Sequence, residues 1–347
     1  METLSKDGMV IAVGNPLLDI TAPVDEKFLS KYGLKPNDAI LATEKHLSLY
    51  KELAKLNNVE YTAGGSSQNS LRVAQWILQR PNTCVYLGCV GEDDNCKILA
   101  KKATHDGVKV LYQHTDKRPT GTCAVLISDN GHNRSLVANL AASECFTKDH
   151  LESKEVKHYI SHAEIYYSSG FFLTVSIDTI LELAHLTHKR EKMFLLNLSA
   201  PFLATHFKNQ MMQVFPYVDI VFGNETEALA FANAHNFETE DVKNIAKKMA
   251  ELPKQNQNRE RVVVITQGPD VVILVEAGKV KEFPVKKLDK SQIIDTNGAG
   301  DAFVGGFLAE LVKGSTYDKC VNCGIWAASK VIQTSGVNLS GKPEFSK

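Results

Sequence analysis

The chain has 347 residues, 44% of them hydrophobic, enough to bury the core of one large α/β domain or of two domains; that excludes a disordered or fibrous polymer. Lys plus Arg total 39 against 40 Asp plus Glu, a formal net charge of −1, so no overall field recruits nucleic acid or an anionic membrane surface. No window approaches the roughly 18 apolar residues of a membrane span, and the apolar run Met9 to Val13 is too short for a signal peptide; the expectation is a cytoplasmic protein, with a nuclear pool compatible with it.

Met9 to Val13 reads as a buried first strand that ends in Gly14-Asn15-Pro16, after which Leu17 to Ile20 continues extended. Open α/β sheets hold ligands at the carboxyl ends of their strands, so Asn15 and Asp19 are either within reach of a substrate or ordinary turn residues. Gly64-Gly65-Ser66-Ser67-Gln68-Asn69 then feeds a helix whose apolar stripe is Leu71, Ala74, Ile77 and Leu78. Bare backbone and small polar side chains suit hydroxyl recognition; a plain Ser-capped helix start is the alternative. Cys84 to Val90 reads as another buried strand. Thr122 to Ile127 and Ser135 to Leu140, joined through Asn130-Gly131, read as a hairpin and so as a separate small sheet. Arg134 follows that turn, where it is either solvated or poised to meet a phosphate bidentately.

From Ile165 onward strands alternate with helices: Ile165 to Tyr167, Phe194 to Leu198, Val218 to Phe222, Val262 to Thr266 and a hairpin strand Val271 to Val275. Alternating βα units predict a parallel sheet covered on both faces. His185 and His188 share one helix surface. Asn224 three residues before Glu227 is a capping box complete in itself, or a pair that holds water on a Mg²⁺. Pro253 to Arg261 reads as a polar surface loop. Seven cysteines, an odd number in a long chain, argue for reduced thiols; Cys320 and Cys323, with no second pair to complete a zinc site, belong to the core face of a helix.

The stretch 291 to 307 organises the rest. Ile293 and Ile294 read as the end of a strand, and Asn297-Gly298-Ala299-Gly300 is a turn too glycine-rich to continue it. Ala302, Phe303, Phe307, Leu308 and Leu311 then recur at helical spacing, which puts Asp301 in the first turn of a helix of about four turns. Free N–H groups at such a start carry roughly half a positive charge, and glycines let an anion approach the backbone. A carboxylate beside an anion cradle would repel a phosphate unless it accepts a proton or hydrogen bond from the attacking group, which makes Asp301 a candidate base. An Asp that merely complements the helix dipole is the other reading. Gly305 and Gly306 each cost about 1 kcal/mol relative to alanine inside a helix, so the pair predicts close packing.

Gly14-Asn15-Pro16-Leu17-Leu18-Asp19, Ala63-Gly64-Gly65-Ser66-Ser67-Gln68-Asn69-Ser70, Asn133-Arg134-Ser135-Leu136, Asn197 to Phe202, Phe222 to Glu227 and Asp295-Thr296-Asn297-Gly298-Ala299-Gly300-Asp301 together closely resemble the ribokinase-like (PfkB) sugar and nucleoside kinases, most specifically the branch that phosphorylates adenosine. The similarity runs from about Val10 to Pro343. It implies an α/β fold, a three-layer α/β/α sandwich with a smaller inserted β-sheet lid: a large nucleotide-binding and catalytic domain from residues 1–19, 63–119 and 142–347, and a lid from 20–62 and 120–141. It implies transfer of the ATP γ-phosphoryl group to the 5′-hydroxyl of adenosine, with another nucleoside or a sugar as the alternative acceptor, in a monomer whose partners are these small molecules. Asp301 matches the family's base, the backbone of Asn297, Gly298, Ala299 and Gly300 its anion hole, and Arg134 the lid arginine that reaches the phosphates. Asp19, Gly64, Gly65, Ser66 and Asn69, with Asn15 beside them, match the side that holds the sugar hydroxyls. Leu41, Cys123, Leu136, Ala138, Leu140, Phe172 and Phe202 would wall the nucleobase, and an apolar wall favours a purine over a free sugar. Asn224 and Glu227 match the pair that organises Mg²⁺ through water; Asn224, Thr266, Gly268 and the helix around Gly324 to Ala328 lie where the family holds ATP. Ala39 stands where a polar lid residue is expected, and Gly131-His132 lengthens the hairpin.

The rival classes lack their signatures. In Gly298-Ala-Gly300-Asp-Ala-Phe303 a Phe occupies the third glycine position of a dinucleotide-binding turn, and no Walker A or Gly-x-Ser-x-Gly motif occurs.

Overall fold

Strands in the larger sheet alternate their side chains between two cores, and the first of them shows why the fold is layered. In β1 (Val10–Val13), Val10 and Ala12 join one hydrophobic cluster while Ile11 and Val13 join another, so both faces of the strand must be covered. The computed structural model describes residues 7–36, 38–129 and 133–345. After β1 come β2 (Leu17–Pro23), α1 (Glu26–Lys31), β3 (Ala39–Leu41), α2 (Leu47–Leu53), β4 (Glu60–Gly64), α3 (Ser66–Leu78), β5 (Cys84–Gly91), α4 (Asp94–His105) and β6 (Lys109–Thr115). The hairpin β7 (Thr122–Ser128) and β8 (Asn133–Asn139) follows, then α5 (Lys154–His162), β9 (Ile165–Ser169), α6 (Ile177–Lys189), β10 (Met193–Asn197), α7 (Pro201–His206) and α8 (Lys208–Val214). The chain continues through β11 (Ile220–Asn224), α9 (Glu225–Ala234), α10 (Val242–Glu251), β12 (Val262–Thr266), β13 (Val272–Glu276), β14 (Lys279–Phe283), α11 (Ala299–Val312) and α12 (Tyr317–Val331).

The large sheet has the order β14-β13-β12-β11-β10-β9-β1-β5-β6, parallel from β6 to β12 with an antiparallel edge at β13 and β14. Helices α3, α4, α11 and α12 bury one face; α5, α6, α8, α9 and α10 bury the other. The second sheet has the order β3-β8-β7-β2-β4. One of its faces packs Ile20, Ala22, Ala124, Leu126 and Val137 against α1 and α2; the opposite face carries Leu17, Cys123 and Val125 with Leu136, Ala138 and Leu140. Because β2 begins four residues after β1 ends, the chain passes from one sheet to the other at Gly14-Asn15-Pro16. The α/β/α sandwich with a smaller second sheet is thus the observed architecture, and among the described residues no helix is long and apolar enough to cross a membrane.

One local expectation changes. Ile293 and Ile294 are not in a strand: they follow a 3-10 turn at Lys290–Gln292, are 39% and 54% exposed, and the Ile294 and Asp295 N–H groups bond the Ile332 carbonyl rather than a neighbouring strand. The loop 253–261 is tied down at its ends. Lys254 pairs with the buried Asp219, and Arg261, itself buried, donates to the carbonyls of Phe215, Val218, Met249, Ala250, Leu252 and Pro253 with its guanidinium 4.5 Å over the Phe215 ring. It supplies the C-terminal cap that α10 otherwise lacks. Asn130, Gly131 and His132, the expected hairpin turn, lie outside the described residues, although the antiparallel pairing of β7 with β8 on either side of them is as expected. Cys320 and Cys323 are buried on the core face of α12, and His185 and His188 lie on the exposed side of α6.

Candidate active site

Two glycine turns, each opening a helix, bring the site together. Gly65 has φ +89°, and a Cβ there would lie 2.2 Å from the Asn15 carbonyl oxygen; a Cβ on Gly64 would lie 2.1 Å from Asp19 Oδ1. Bare backbone at both positions is therefore what lets β4 and α3 come up against the β1–β2 crossing. Gly298 (φ +77°) caps α11 in the left-handed region, and a Cβ there would meet the Val337 side chain at 2.5 Å. At Gly300 a Cβ would meet nothing within 4 Å, so this backbone borders open space. The first intrahelical bond of α11 runs from Ala302 N–H to the Gly298 carbonyl and Ala299 N–H bonds the Thr296 carbonyl, which leaves the N–H groups of Gly298, Gly300 and Asp301 at the mouth of that space.

Asp301 stands there with both carboxylate oxygens engaged by α3: Ser66 Oγ donates to Oδ1 at 2.7 Å and Asn69 Nδ2 to Oδ2 at 3.3 Å. Asn69 is held in turn, its Oδ1 accepting from Arg72 Nη1 at 3.0 Å, and Arg72 is buried against Asp106, the Ala63 carbonyl and the Val337 carbonyl. Arg72 was not singled out in the sequence; its spacing of three from Asn69 on one helix face was the available signal. Burial pushes the Asp301 carboxyl up to about 6, held back by the bonds from Ser66 and Asn69. Burial raises Asp19 to about 7 against the opposing pull of Arg72, with the Asp301 charge adding to the rise. Asn15 Oδ1 is buried without a hydrogen-bond partner among the described residues.

At the next strand end Asn224 caps α9. Its Oδ1 accepts from Glu227 N–H at 2.9 Å, while the Glu227 carboxylate accepts from Asn224 N–H and Nδ2, each at 3.0 Å. Burial raises the Glu227 carboxyl to about 7, and the Asp301 charge contributes to the rise. Thr266 is the register partner of Asn224 on β12, and its hydroxyl donates to the Gly223 carbonyl at 3.4 Å. Gly268 is in the left-handed region with open space where a Cβ would stand. Gly324, by contrast, is a packing glycine: a Cβ would come 2.8 Å from Phe303.

The expected apolar wall is brought together in part. Cys123, Leu136, Ala138 and Leu140 share one face of the small sheet with Leu17 and Val125, and Leu41, 45% exposed, is in register with Ala138. Phe172 is not in that wall. It is 0% exposed in the core of the large domain, edge-on to Phe146, and the less buried aromatic of its turn is Phe171, whose ring lies 6.4 Å from that of Phe202. Consecutive residues of a 3-10 turn point about 120° apart, so the two positions cannot be exchanged. Arg134 is paired with Asp295 and donates to Ser335 Oγ at 3.1 Å.

Asp301 thus lies at a glycine-capped helix start, with a second capped helix start at Asn224. Residues 26–344 match the model of the pfkB family carbohydrate kinases. The chain belongs to the pfkB family. Among curated relatives it is similar to Adenosine kinase 2 of Arabidopsis thaliana, 48% identical over 339 residues and 98% of each chain. It is also 41% identical over 331 residues to the adenosine kinase of Schizosaccharomyces pombe, covering 95% of this chain and 96% of that one. Among solved structures it resembles Anopheles gambiae adenosine kinase in complex with P1,P4-di(adenosine-5) tetraphosphate, with TM-score 0.93 and 53% identity over 98% of this chain and 100% of that one. Schistosoma mansoni adenosine kinase in complex with adenosine and AMP gives TM-score 0.90 and 33% identity, over 98% and 100% of the two chains.

Proposed function

We propose that this pfkB kinase transfers the γ-phosphoryl group of ATP to the 5′-hydroxyl of adenosine, giving AMP and ADP. The observation that carries the reading is Asp301: a buried, oriented carboxylate in the first turn of a glycine-capped helix, beside backbone that borders open space. The likeness to adenosine kinases along nearly the whole chain supports the acceptor.

The acceptor hydroxyl sits against Asp301, which takes its proton as the O–P bond forms while the β–γ bridging oxygen of ATP leaves with the electron pair. Phosphoryl transfer asks the protein for positioning and charge stabilisation more than covalent chemistry. The Gly298 and Gly300 N–H groups are offered to the charge on the transferred phosphoryl group, while those of Asn297 and Ala299 are taken by Asp295 Oδ1 and the Thr296 carbonyl, and Arg134, paired with Asp295, places a cation at the base of that turn. Asp19, with Asn69 and the unpartnered Asn15 Oδ1, receives the ribose hydroxyls where Gly64 and Gly65 admit them. Leu17, Leu41, Cys123, Leu136, Ala138 and Leu140, with Phe171 and Phe202, enclose the base. Residues 20–62 and 120–141 act as a lid on this cleft. Asn224, Thr266 and Gly268 border the ATP side.

Mg²⁺ fits the donor set at Asn224 and Glu227. A lone buried carboxylate with an amide suits a cation that keeps most of its own water, and no cluster of three ligating residues is found among the described residues. These two side chains would hold the waters of the ion. When bound it would neutralise phosphate charge, and its own positive charge would favour the ionised form of the Glu227 carboxyl that burial disfavours.

Coupled ADP release with adenosine, inosine, guanosine and ribose tests the assignment. Turnover on adenosine above the other three is expected; strong turnover on ribose with none on adenosine would replace it with a sugar kinase.

A further inference from the structure

The asparagine that touches Asp301 is gripped from its other side by an arginine that the mechanism above does not use. Asn69 Nδ2 donates to Asp301 Oδ2 at 3.3 Å and Asn69 Oδ1 accepts from Arg72 Nη1 at 3.0 Å, so the two ends of one amide face a carboxylate and a guanidinium. Arg72 is only 5% exposed and is anchored through each of its nitrogens: Nε donates to Asp106 at 2.6 Å, Nη1 also to the Ala63 carbonyl at 2.7 Å, and Nη2 to the Val337 carbonyl at 3.0 Å. A guanidinium has donors and no acceptor, so only the oxygen of the Asn69 amide can turn toward it. The amide reversed would set N–H against N–H at one end and oxygen against carboxylate at the other.

While Asp301 is charged, its carboxylate alone selects that orientation. Its hold ends when it takes the proton of the acceptor hydroxyl, because a neutral carboxyl donates as well as accepts and is served equally by the amide oxygen. Arg72 keeps its charge throughout. We infer that Arg72 is a positioning residue that keeps the Asn69 amide a donor to Asp301 whether or not Asp301 carries a proton, an inference that rests on reading Asp301 as the base. The protonated carboxyl then finds no acceptor in Asn69, and the amide goes on favouring the ionised form to which a base must return before the next turnover. Besides Ser66, Asn69 and Arg72 of α3, the groups around Asp301 are Asp19 from β2, Glu227 from α9, Tyr86 from β5 and Tyr167 from β9, with Arg134 and Asp295 beyond Asp19. Burial holds both phenols neutral, and the carboxyls of Asp19 and Glu227 are common to every variant below.

The test is titration of the Asp301 carboxyl in the full-length, substrate-free protein by its ¹³Cγ resonance, the one that disappears in Asp301→Asn. Arg72→Met and Asn69→Ala are each expected to raise its midpoint by about one pH unit, and the double variant to exceed neither single by more than about a third of a unit, because Arg72 acts through Asn69. Arg72→Lys keeps a donor for the Asn69 oxygen and should stay within about half a pH unit of wild type. It carries the test if Arg72→Met does not fold, and a midpoint as high as that of Asn69→Ala would then overturn the inference. An unmoved midpoint in Arg72→Met overturns it too, as do shifts that add in the double variant, which is the mark of a charge acting directly on Asp301. No substrate is needed, so a wild type inert on adenosine would end the proposed function while the titrations still decide this inference.

Discussion

Asp301 combines a position that any helix could give with a pair of hydrogen bonds that only the tertiary structure supplies. General-base assistance is worth about 10² to 10⁴ in rate, so Asp301→Asn should lower kcat by that factor while the adenosine Kd changes only a few-fold, read by coupled assay and calorimetry. Its carboxyl near 6, with those of Asp19 and Glu227 near 7 in the same site, sets the pH profile: log kcat/KM should begin to fall below about pH 7 and steepen below about pH 6. The same elevation has a sign in stability. The carboxyls of Asp19, Asp301 and Glu227 are raised above their unfolded values, so the folded state keeps protons that the unfolded chain has lost. Their stabilisation is complete below about pH 4 and is lost as pH rises through 6 to 7. His235, held below its ordinary value by burial, works in the opposite direction across part of this window, so the variant is the clean comparison. The change in Tm between pH 5 and 7.5 should shift toward stabilisation at the higher pH in Asp301→Asn, measured calorimetrically without ligand.

At the scale of elements, α11 is positioned by its glycines. A Cβ on Gly305 would lie 2.6 Å from the Ser70 carbonyl oxygen and from Val73 Cβ, and one on Gly306 would lie 2.5 Å from the Cys323 carbonyl oxygen. The neighbours are backbone or a β-branched side chain and cannot swing aside. Alanine gains about 1 kcal/mol in helix propensity, but overpacking of this kind costs about 1 to 3 kcal/mol. Gly305→Ala should therefore destabilise the protein in a urea titration, and kcat should fall more than KM rises, because pushing α3 off α11 moves Ser66 and Asn69 away from Asp301. The pair of glycines was readable as close packing, and the capped starts of α9 and α11 were readable because a cap is decided within four residues. What those helix starts touch was not: Ser66 to Asp301, Arg72 to Asn69 and Arg134 to Asp295 join residues that only the folded chain brings together.

For the molecule as a whole, the parallel sheet announced itself through the apolar runs within Val262 to Thr266 and Val218 to Phe222, because a strand buried on both faces is apolar along its buried length. β6 and β14 gave no such signal, since edge strands carry polar residues: Gln113 and His114 in one, Lys279 and Lys281 in the other. Phe171 and Phe172 were indistinguishable as neighbours in sequence and are separated only by which side of a turn meets the core.

Arg261 adds a kinetic dimension. Its six carbonyl partners come from the end of α10, the loop after it and the approach to β11, and they converge on one guanidinium only once β12 is docked. Burial lowers its pKa to about 10, so it stays cationic at neutral pH, and losing it strands several carbonyls at once. Contacts that need three separated segments in place are expected to form after the folding transition state. Arg261→Met should accelerate unfolding in stopped-flow measurements by about 100-fold while refolding changes less than about threefold, which makes this one side chain a brake on the lifetime of the native fold.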